Sequence, residues 1–307
     1  MGQDLPAAQP YNAPGGVAVT ADPASPDAAY RLPRPETPLG FTGERMTSAI
    51  EGQIAFEHFH RYCLARDLVV GRDVLDIASG EGYGAAILAG TARSVVGVEI
   101  DAASVEHARA AYPLPNLRFE QGDALRLPLP DDCLDVVTSF ETLEHLADHE
   151  GFLAEIRRVL RPGGLFLVST PDREVYSAPG QPANPYHLRE LTRPEFAALL
   201  EAHFARSRVL AQRVVIGSVF APTGEGPGGW RTYDSNPDGR IEPGPGLSRA
   251  FYLLGLASDA ELPPVGSSIF AENISLDHTL QAVADLRRER EGRWQAEGEL
   301  RFEREQR

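Results

Sequence analysis

Residues 74–84 read Val-Leu-Asp-Ile-Ala-Ser-Gly-Glu-Gly-Tyr-Gly, and this stretch constrains the fold more than any other. An apolar run (Val74, Leu75, Ile77) carries one acid, Asp76, and then meets Gly80, Gly82 and Gly84 at alternate positions. Glycine is needed where a backbone turns sharply and lets a ligand approach without a Cβ in the way. Strand, glycine turn and helix in that order place the loop at the carboxyl edge of a parallel sheet, where open α/β folds bind ligands. The acid separates two ligand classes. A pyrophosphate wants a helix N-terminus free of negative charge, and Asp76 would repel it. A cationic ligand would welcome the carboxylate.

Two more acids follow at strand ends. Residues 94–99 (Ser-Val-Val-Gly-Val-Glu) form a short apolar strand that ends in Glu99, a bidentate acceptor for ribose hydroxyls, with Ile100 beside it as an apolar face for a base. Asp101 caps a helix over 102–111. A third strand, Asn116–Glu120, runs into Gln121-Gly122-Asp123-Ala124. The glycine loop and these acids, in order, resemble the motifs of class I S-adenosylmethionine (SAM) methyltransferases. The resemblance implies a Rossmann-like, seven-stranded α/β sheet followed here by a C-terminal helix. It also implies SAM as cofactor, with Asp76, Gly80, Gly82, Gly84, Glu99, Ile100, Asp123 and Ala124 around it. Asp123 is placed at the adenine amino group.

The chain divides into three parts. Residues 1–39 hold eight prolines among Ala, Gly and Asp and read as a disordered leader. Residues 40–272 form the globular domain, and 273–307 a charged helix with the start of a coiled coil. A helix is expected over Ser48–Arg66 and another over Gly151–Leu160, stopped by Arg161-Pro162-Gly163-Gly164. Thr192-Arg193-Pro194-Glu195 is a capping box opening a helix through His203. Strands are expected over 134–139, 165–170, 207–216 and 250–257, with the last running antiparallel. The Gly/Pro-rich insert that starts at Gly224 is expected to cover the acceptor site.

The chemistry is expected after the fourth strand. Glu141, Glu144 and His145 stand at i, i+3 and i+4, so a helix there would put them on one face. His187, in Asn184-Pro185-Tyr186-His187-Leu188-Arg189-Glu190, follows the fifth strand and could fold over the same edge. The set Glu141, Glu144, His145 and His187 could hold Mg²⁺ or Mn²⁺. Without metal, His145 or His187 would act as general base with Glu141 orienting it. This pattern resembles the metal site of small-RNA 2′-O-methyltransferases and the matching segment of ubiquinone-pathway O-methyltransferases.

The wider order of segments, from Gly43-Glu44-Arg45-Met46 to Asn-Pro-Tyr-His-Leu-Arg-Glu-Leu, resembles methyltransferase domains of bacterial surface-polysaccharide (O-antigen) clusters. It implies O-methylation of a glycan or sugar-containing precursor. Tyr176, Tyr186, Trp230 and Tyr233 are then candidate stacking platforms, and Arg61 or Tyr62 on a lid helix reaches the methionine carboxylate. The alternatives are a small-molecule or RNA acceptor, or a SAM-binding scaffold of a glycan-synthesis complex. The net charge of −15, with arginine as the sole basic residue besides histidine, argues against a broad nucleic-acid surface. No apolar run approaches the ~20 residues of a membrane span. Cys63 and Cys133 sit in apolar patterns without a zinc cluster, and no signal segment opens the chain, so a cytoplasmic setting is expected. The C-terminal helix suggests a homo-oligomer.

Overall fold

The computed structural model describes residues 30–39, 46–49, 52–179, 184–215, 230–235, 240–247 and 249–271. Residues up to 267 belong to one unit and 268–307 to a second. The start of the insert at Gly224 and the heptad-like helix beyond 272 lie outside the described residues.

Seven strands form one sheet: β1 (Asp73–Ile77), β2 (Ser94–Glu99), β3 (Leu117–Gln121), β4 (Leu134–Phe140), β5 (Leu160–Pro171), β6 (Arg206–Gln212) and β9 (Tyr252–Ser258). Their order is β3-β2-β1-β4-β5-β9-β6. The pairs β2–β3, β1–β2, β1–β4 and β4–β5 are parallel. β9 runs antiparallel to both β5 and β6, wedged between them. This is the α/β Rossmann-like sheet of class I methyltransferases. The strand order reverses direction between β1 and β4, and the crevice outside their carboxyl ends is where such sheets take ligands.

Side chains alternate across β1. Leu75 and Ile77 join a core with Val137, Phe166 and Val168, closed by Phe152 and Ile156 of α4 (His149–Val159) and Phe196 and Leu200 of α6 (Arg193–His203). Each such side chain contributes about 1.5–3 kcal/mol by leaving water. Asp76 points to the opposite side, beneath α1 (Gln53–Leu68) and beside α2 (Tyr83–Ala89). The remaining helices are α3 (Ala102–Ala111) and the short α5 (Arg173–Tyr176).

Local signals act largely as expected. Asp101 caps α3 by accepting from the Ser104 amide, and Thr192 with Glu195 forms the capping box of α6. Three boundaries differ, and β6 already ends at Gln212 instead of running on through 215. Helix α4 stops at Val159, one residue before the expected end, and Leu160 already pairs with Leu134, so Arg161–Gly164 also falls within the start of β5. The cause is Pro162, which disfavours helical backbone at the residue before it. Helix α1 starts at Gln53 after Gly52 (φ 84°), not at Ser48, and Ile54 faces solvent. The expected insert contains a two-stranded hairpin, β7 (Arg231–Ser235) with β8 (Ile241–Pro245). No helix among the described residues is long and apolar enough to cross a membrane.

Candidate active site

The glycine loop turns on three left-handed residues, Ala78 (φ 55°), Gly80 (φ 54°) and Gly82 (φ 96°). The alternation expected at 80, 82 and 84 is therefore shifted, with an alanine in its first position. Gly84 is helical, and its missing Cβ has another cause. A Cβ there would lie 2.0 Å from the Tyr62 ring, so the glycine admits that ring. Tyr62 then donates its hydroxyl to the Asp76 carboxylate, 3.2 Å from each oxygen. Thr138 Oγ1 donates to the same carboxylate at 2.8 Å. Asp76 is thus sealed under α1, with the Tyr62 hydroxyl standing over its carboxylate. Burial pushes its pKa from 3.8 up to about 7, against the lowering hydrogen bonds of Thr138 and Tyr62.

Glu99 ends β2 with its carboxylate accepting from the amides of Gly80 (2.9 Å) and Asp101 (3.1 Å). It pins the glycine loop to the strand end. Ile100 beside it is 66% exposed, an apolar face set at the edge. Asp123 accepts from the Leu125 amide in a tight turn and stays exposed, while Ala124 is half-buried against the core. Ser79 Oγ, in the loop itself, is buried and has no hydrogen-bond partner among the described residues. An orphaned donor inside a glycine loop, flanked by a carboxylate and an exposed apolar residue, fits an adenosyl ligand with polar groups at its amino-acid end.

Glu81 went unremarked in the sequence. Its fully buried carboxylate accepts from the Leu39 amide (2.7 Å) and the Ser48 amide (2.6 Å). Residues 39 and 46–48 are thereby strapped onto the glycine loop. An acid between two glycines of a ligand loop was the available signal.

Across the switch point lies a second cluster. Glu141, directly after β4, has φ 54°, a conformation that costs a non-glycine residue about 1–3 kcal/mol and concentrates at functional sites. Its amide donates to Ser169, and Ser169 Oγ donates back to Oε1 at 2.6 Å. Arg61 Nη1 of α1 stands 3.2 Å from the same oxygen. Arg61 is buried, donates from Nε to Gln212 Oε1 (2.7 Å) and lies 4.5 Å over the Tyr252 ring. Its Nη1 and Nη2 make no hydrogen bond among the described residues. Arg61 therefore packs among Glu141, Gln212 and Tyr252, and Tyr62, one residue on, packs against Asp76 and the glycine loop.

Residues Leu143–His145 form a single 3₁₀ turn, so Glu141 does not share a helical face with Glu144 and His145. Glu144 is buried and accepts from Thr170 Oγ1 at 3.2 Å. Desolvation first, and the Glu141 charge second, hold its carboxyl well above the usual range. His145 Nδ1 lies 3.0 Å from the Tyr186 carbonyl. A carbonyl only accepts, so this contact requires the proton on Nδ1. His187 Nδ1 is 2.6 Å from Glu190 Oε1 and its Nε2 3.0 Å from Asn184 Nδ2.

Metal-ligand atoms of Glu144, His145 and His187 lie within 4.8 Å of one another. The expected four-residue site is not assembled. Glu141 stands outside the group, held by Ser169 and Arg61, and both ring nitrogens of His187 are engaged by Glu190 and Asn184. The donor set present therefore does not fit a four-ligand Mg²⁺ or Mn²⁺ site.

The candidate platforms separate. Tyr176 stacks on His187 (centroids 5.3 Å, 28°), and Tyr186 is exposed. Trp230 and Tyr233 lie partly open on the β7–β8 hairpin, which Arg213, just past β6, ties down through Asp234.

Comparison with known proteins agrees with this arrangement. Residues 75–168 match the family described as "Methyltransferase domain". A probable SAM-dependent methyltransferase of Mycolicibacterium smegmatis is 46% identical over 167 residues, 53% of this chain and 64% of that protein. A probable SAM-dependent methyltransferase of Mycobacterium tuberculosis is 40% identical over 172 residues, 53% of this chain and 60% of the relative. A phthiotriol/phenolphthiotriol dimycocerosates methyltransferase of M. tuberculosis is 38% identical over 110 residues, 35% and 40% of the two chains. The chain thus spans less than two thirds of the length of the relatives it matches. Residues 75–168 thus match a methyltransferase domain, and the relatives they resemble are named as probable SAM-dependent methyltransferases.

Proposed function

We propose that this protein transfers the methyl group of SAM to a hydroxyl of a glycan or sugar-containing precursor, with His145 as general base. When bound, SAM supplies a methyl already activated on a positively charged sulfur, so most of the acceleration comes from positioning. Gly80, Gly82 and Ser79 would line its amino-acid end, Glu99 its ribose and Ile100 and Asp123 its base. The single observation that carries the reading is the His145 Nδ1–Tyr186 carbonyl contact of 3.0 Å. It leaves Nε2 as the atom able to take a hydroxyl proton during attack. Glu144, whose carboxyl burial and the Glu141 charge hold well above the usual range, stands beside the same site. Arg61 and Ser169 hold Glu141 away from that exchange.

The sugar acceptor rests on the surface-polysaccharide resemblance and on the open aromatics Tyr186, Trp230 and Tyr233. A lipid hydroxyl is the second reading, favoured by the relative named for phthiotriol dimycocerosates. A metal-assisted route would require His187 to give up Glu190 or Asn184, which weighs against it. The acidic balance and the expected cytoplasmic setting suit a soluble or membrane-presented precursor rather than RNA.

The test is methyl-tritiated SAM incubated with the protein and, separately, with aqueous glycan and organic lipid extracts of the source cells. Label in the glycan fraction supports the proposal, and label in the lipid fraction moves the acceptor to the second reading. Label in neither, with SAM bound, points to a scaffold. His145→Ala should abolish transfer while S-adenosylhomocysteine affinity stays within about twofold.

A further inference from the structure

We infer that Glu190 is a positioning residue, acting through His187 and its turn to keep the proton of His145 on Nδ1. The inference rests on the reading of His145 as base and deepens it. The Tyr186 amide donates to Asn184 Oδ1 at 3.0 Å, which fixes the orientation of that side-chain amide. Asn184 Nδ2 must then donate to His187 Nε2, 3.0 Å away. His187 consequently carries its proton on Nδ1, and delivers it to Glu190 Oε1 at 2.6 Å. Both side chains are nearly closed to solvent, 6% and 9% exposed. The His187 amide also donates to the Asn184 carbonyl, so the 184–190 turn is knotted by side chains on both flanks.

The same turn supplies three backbone groups to the segment opposite it. Its Tyr186 carbonyl accepts the His145 proton. Its Leu188 and Arg189 amides both donate to the Glu144 carbonyl, at 2.8 and 3.1 Å. The His187 ring packs edge-on against His145, with centroids 5.1 Å apart. An imidazole in water prefers its proton on Nε2, so the Tyr186 carbonyl reverses the intrinsic preference of His145. If the turn loosens, the ring relaxes to Nε2–H and offers a donor where the base needs a lone pair. A wrong tautomer disables a catalytic histidine with its geometry otherwise intact. This assigns His187 to the turn rather than to proton transfer or metal ligation.

The experiment reads the tautomer directly and needs no acceptor. Long-range ¹H–¹⁵N imidazole spectra of the full-length protein are recorded at pH 7.5, with His145→Gln used only to assign the His145 signals. The wild type should show His145 protonated on Nδ1. Glu190→Ala should shift most of the population to Nε2–H, Asn184→Ala should do the same, and Glu190→Gln, which keeps an acceptor oxygen, should restore the wild-type pattern. S-adenosylhomocysteine affinity and far-UV circular dichroism should stay unchanged throughout. A wild-type His145 pattern in a folded Glu190→Ala, or in Asn184→Ala where the first variant does not fold, overturns the inference alone. Nε2–H in the wild type overturns the base reading as well.

Discussion

Asp76→Asn is the most informative substitution, because a buried acid at the start of the ligand loop has a measurable cost. Asp76 is fully buried, and its partners Thr138 and Tyr62 are neutral. Burial raises its pKa from 3.8 to about 7, which corresponds to about 4 kcal/mol between the two protonation states. The unfolded chain gives up this proton near 3.8, whereas the native state holds it to about 7. Between those values the native state binds more protons, so stability falls as pH rises. The contribution is fully present below pH 3.8 and lost by about pH 7. Asparagine is neutral throughout and forfeits one acceptor for Tyr62, about 1 kcal/mol. The variant should therefore be slightly less stable than wild type near pH 4. Near pH 8 it should be more stable, with a swing of up to about 4 kcal/mol between the two. Urea unfolding of both proteins at intervals from pH 4 to 8 measures the difference, in which other titrating groups largely cancel. Parallel stability curves across that range would refute the reasoning.

Gly84→Ala should cost about 1–3 kcal/mol, because the new Cβ lands 2.0 Å from the Tyr62 ring; thermal melts read it, and a neutral result would show Tyr62 free to move. Gly82→Ala and Ala78→Gly should have opposite signs. The first adds a Cβ at φ 96° and 2.8 Å from Phe119, costing roughly 1–3 kcal/mol. The second relieves a left-handed alanine of about 1–2 kcal/mol, less the glycine entropy of about 0.5–1. Glu81→Gln removes the charge that receives the Leu39 and Ser48 amides. Hydrogen exchange at those two amides should quicken about tenfold, with the rest of the sheet unchanged.

What was legible in the sequence was what local rules decide. The apolar runs of β1, β2 and β4, the caps Asp101 and Thr192, and the acids at strand ends all act over a few residues. What was hidden depends on contacts between segments far apart in the chain. Gly84 reads as a third loop glycine, yet it answers to Tyr62, and the left-handed position falls on Ala78. The spacing of Glu141, Glu144 and His145 suggests one helix face, but a strained Glu141 and a 3₁₀ turn intervene. His187 has the composition of a ligand or base, and its role is decided by Asn184 and Glu190, which only the folded turn brings onto its two nitrogens. Of the expected metal set, Glu144, His145 and His187 come within ligating reach of one another and Glu141 does not.

Helix α1 shows most clearly how charge is managed between the two halves. It buries Glu57, Arg61 and Arg66, which an apolar-face reading cannot anticipate. Around Arg61 stand Glu57 and Glu141, and Glu144 feels both Arg61 and Glu141; burial raises the pKa of Glu57 and of Glu144. One guanidinium thus offsets several carboxyls, and its removal leaves them facing one another in a poorly solvated space. Arg61→Ala should cost about 3–5 kcal/mol, the range for breaking a buried pair. Glu141→Gln alone should cost less, because Ser169 and Gln212 remain as partners and the strained backbone is unchanged. Combining the two removes the pair together, so the double variant should be more stable than the sum of single effects by roughly 1–3 kcal/mol. The cycle is measured by urea unfolding at pH 7.5. Coupling below about 0.5 kcal/mol would show that the 3.2 Å contact carries no energy and that Arg61 is held by Gln212 and Tyr252 instead.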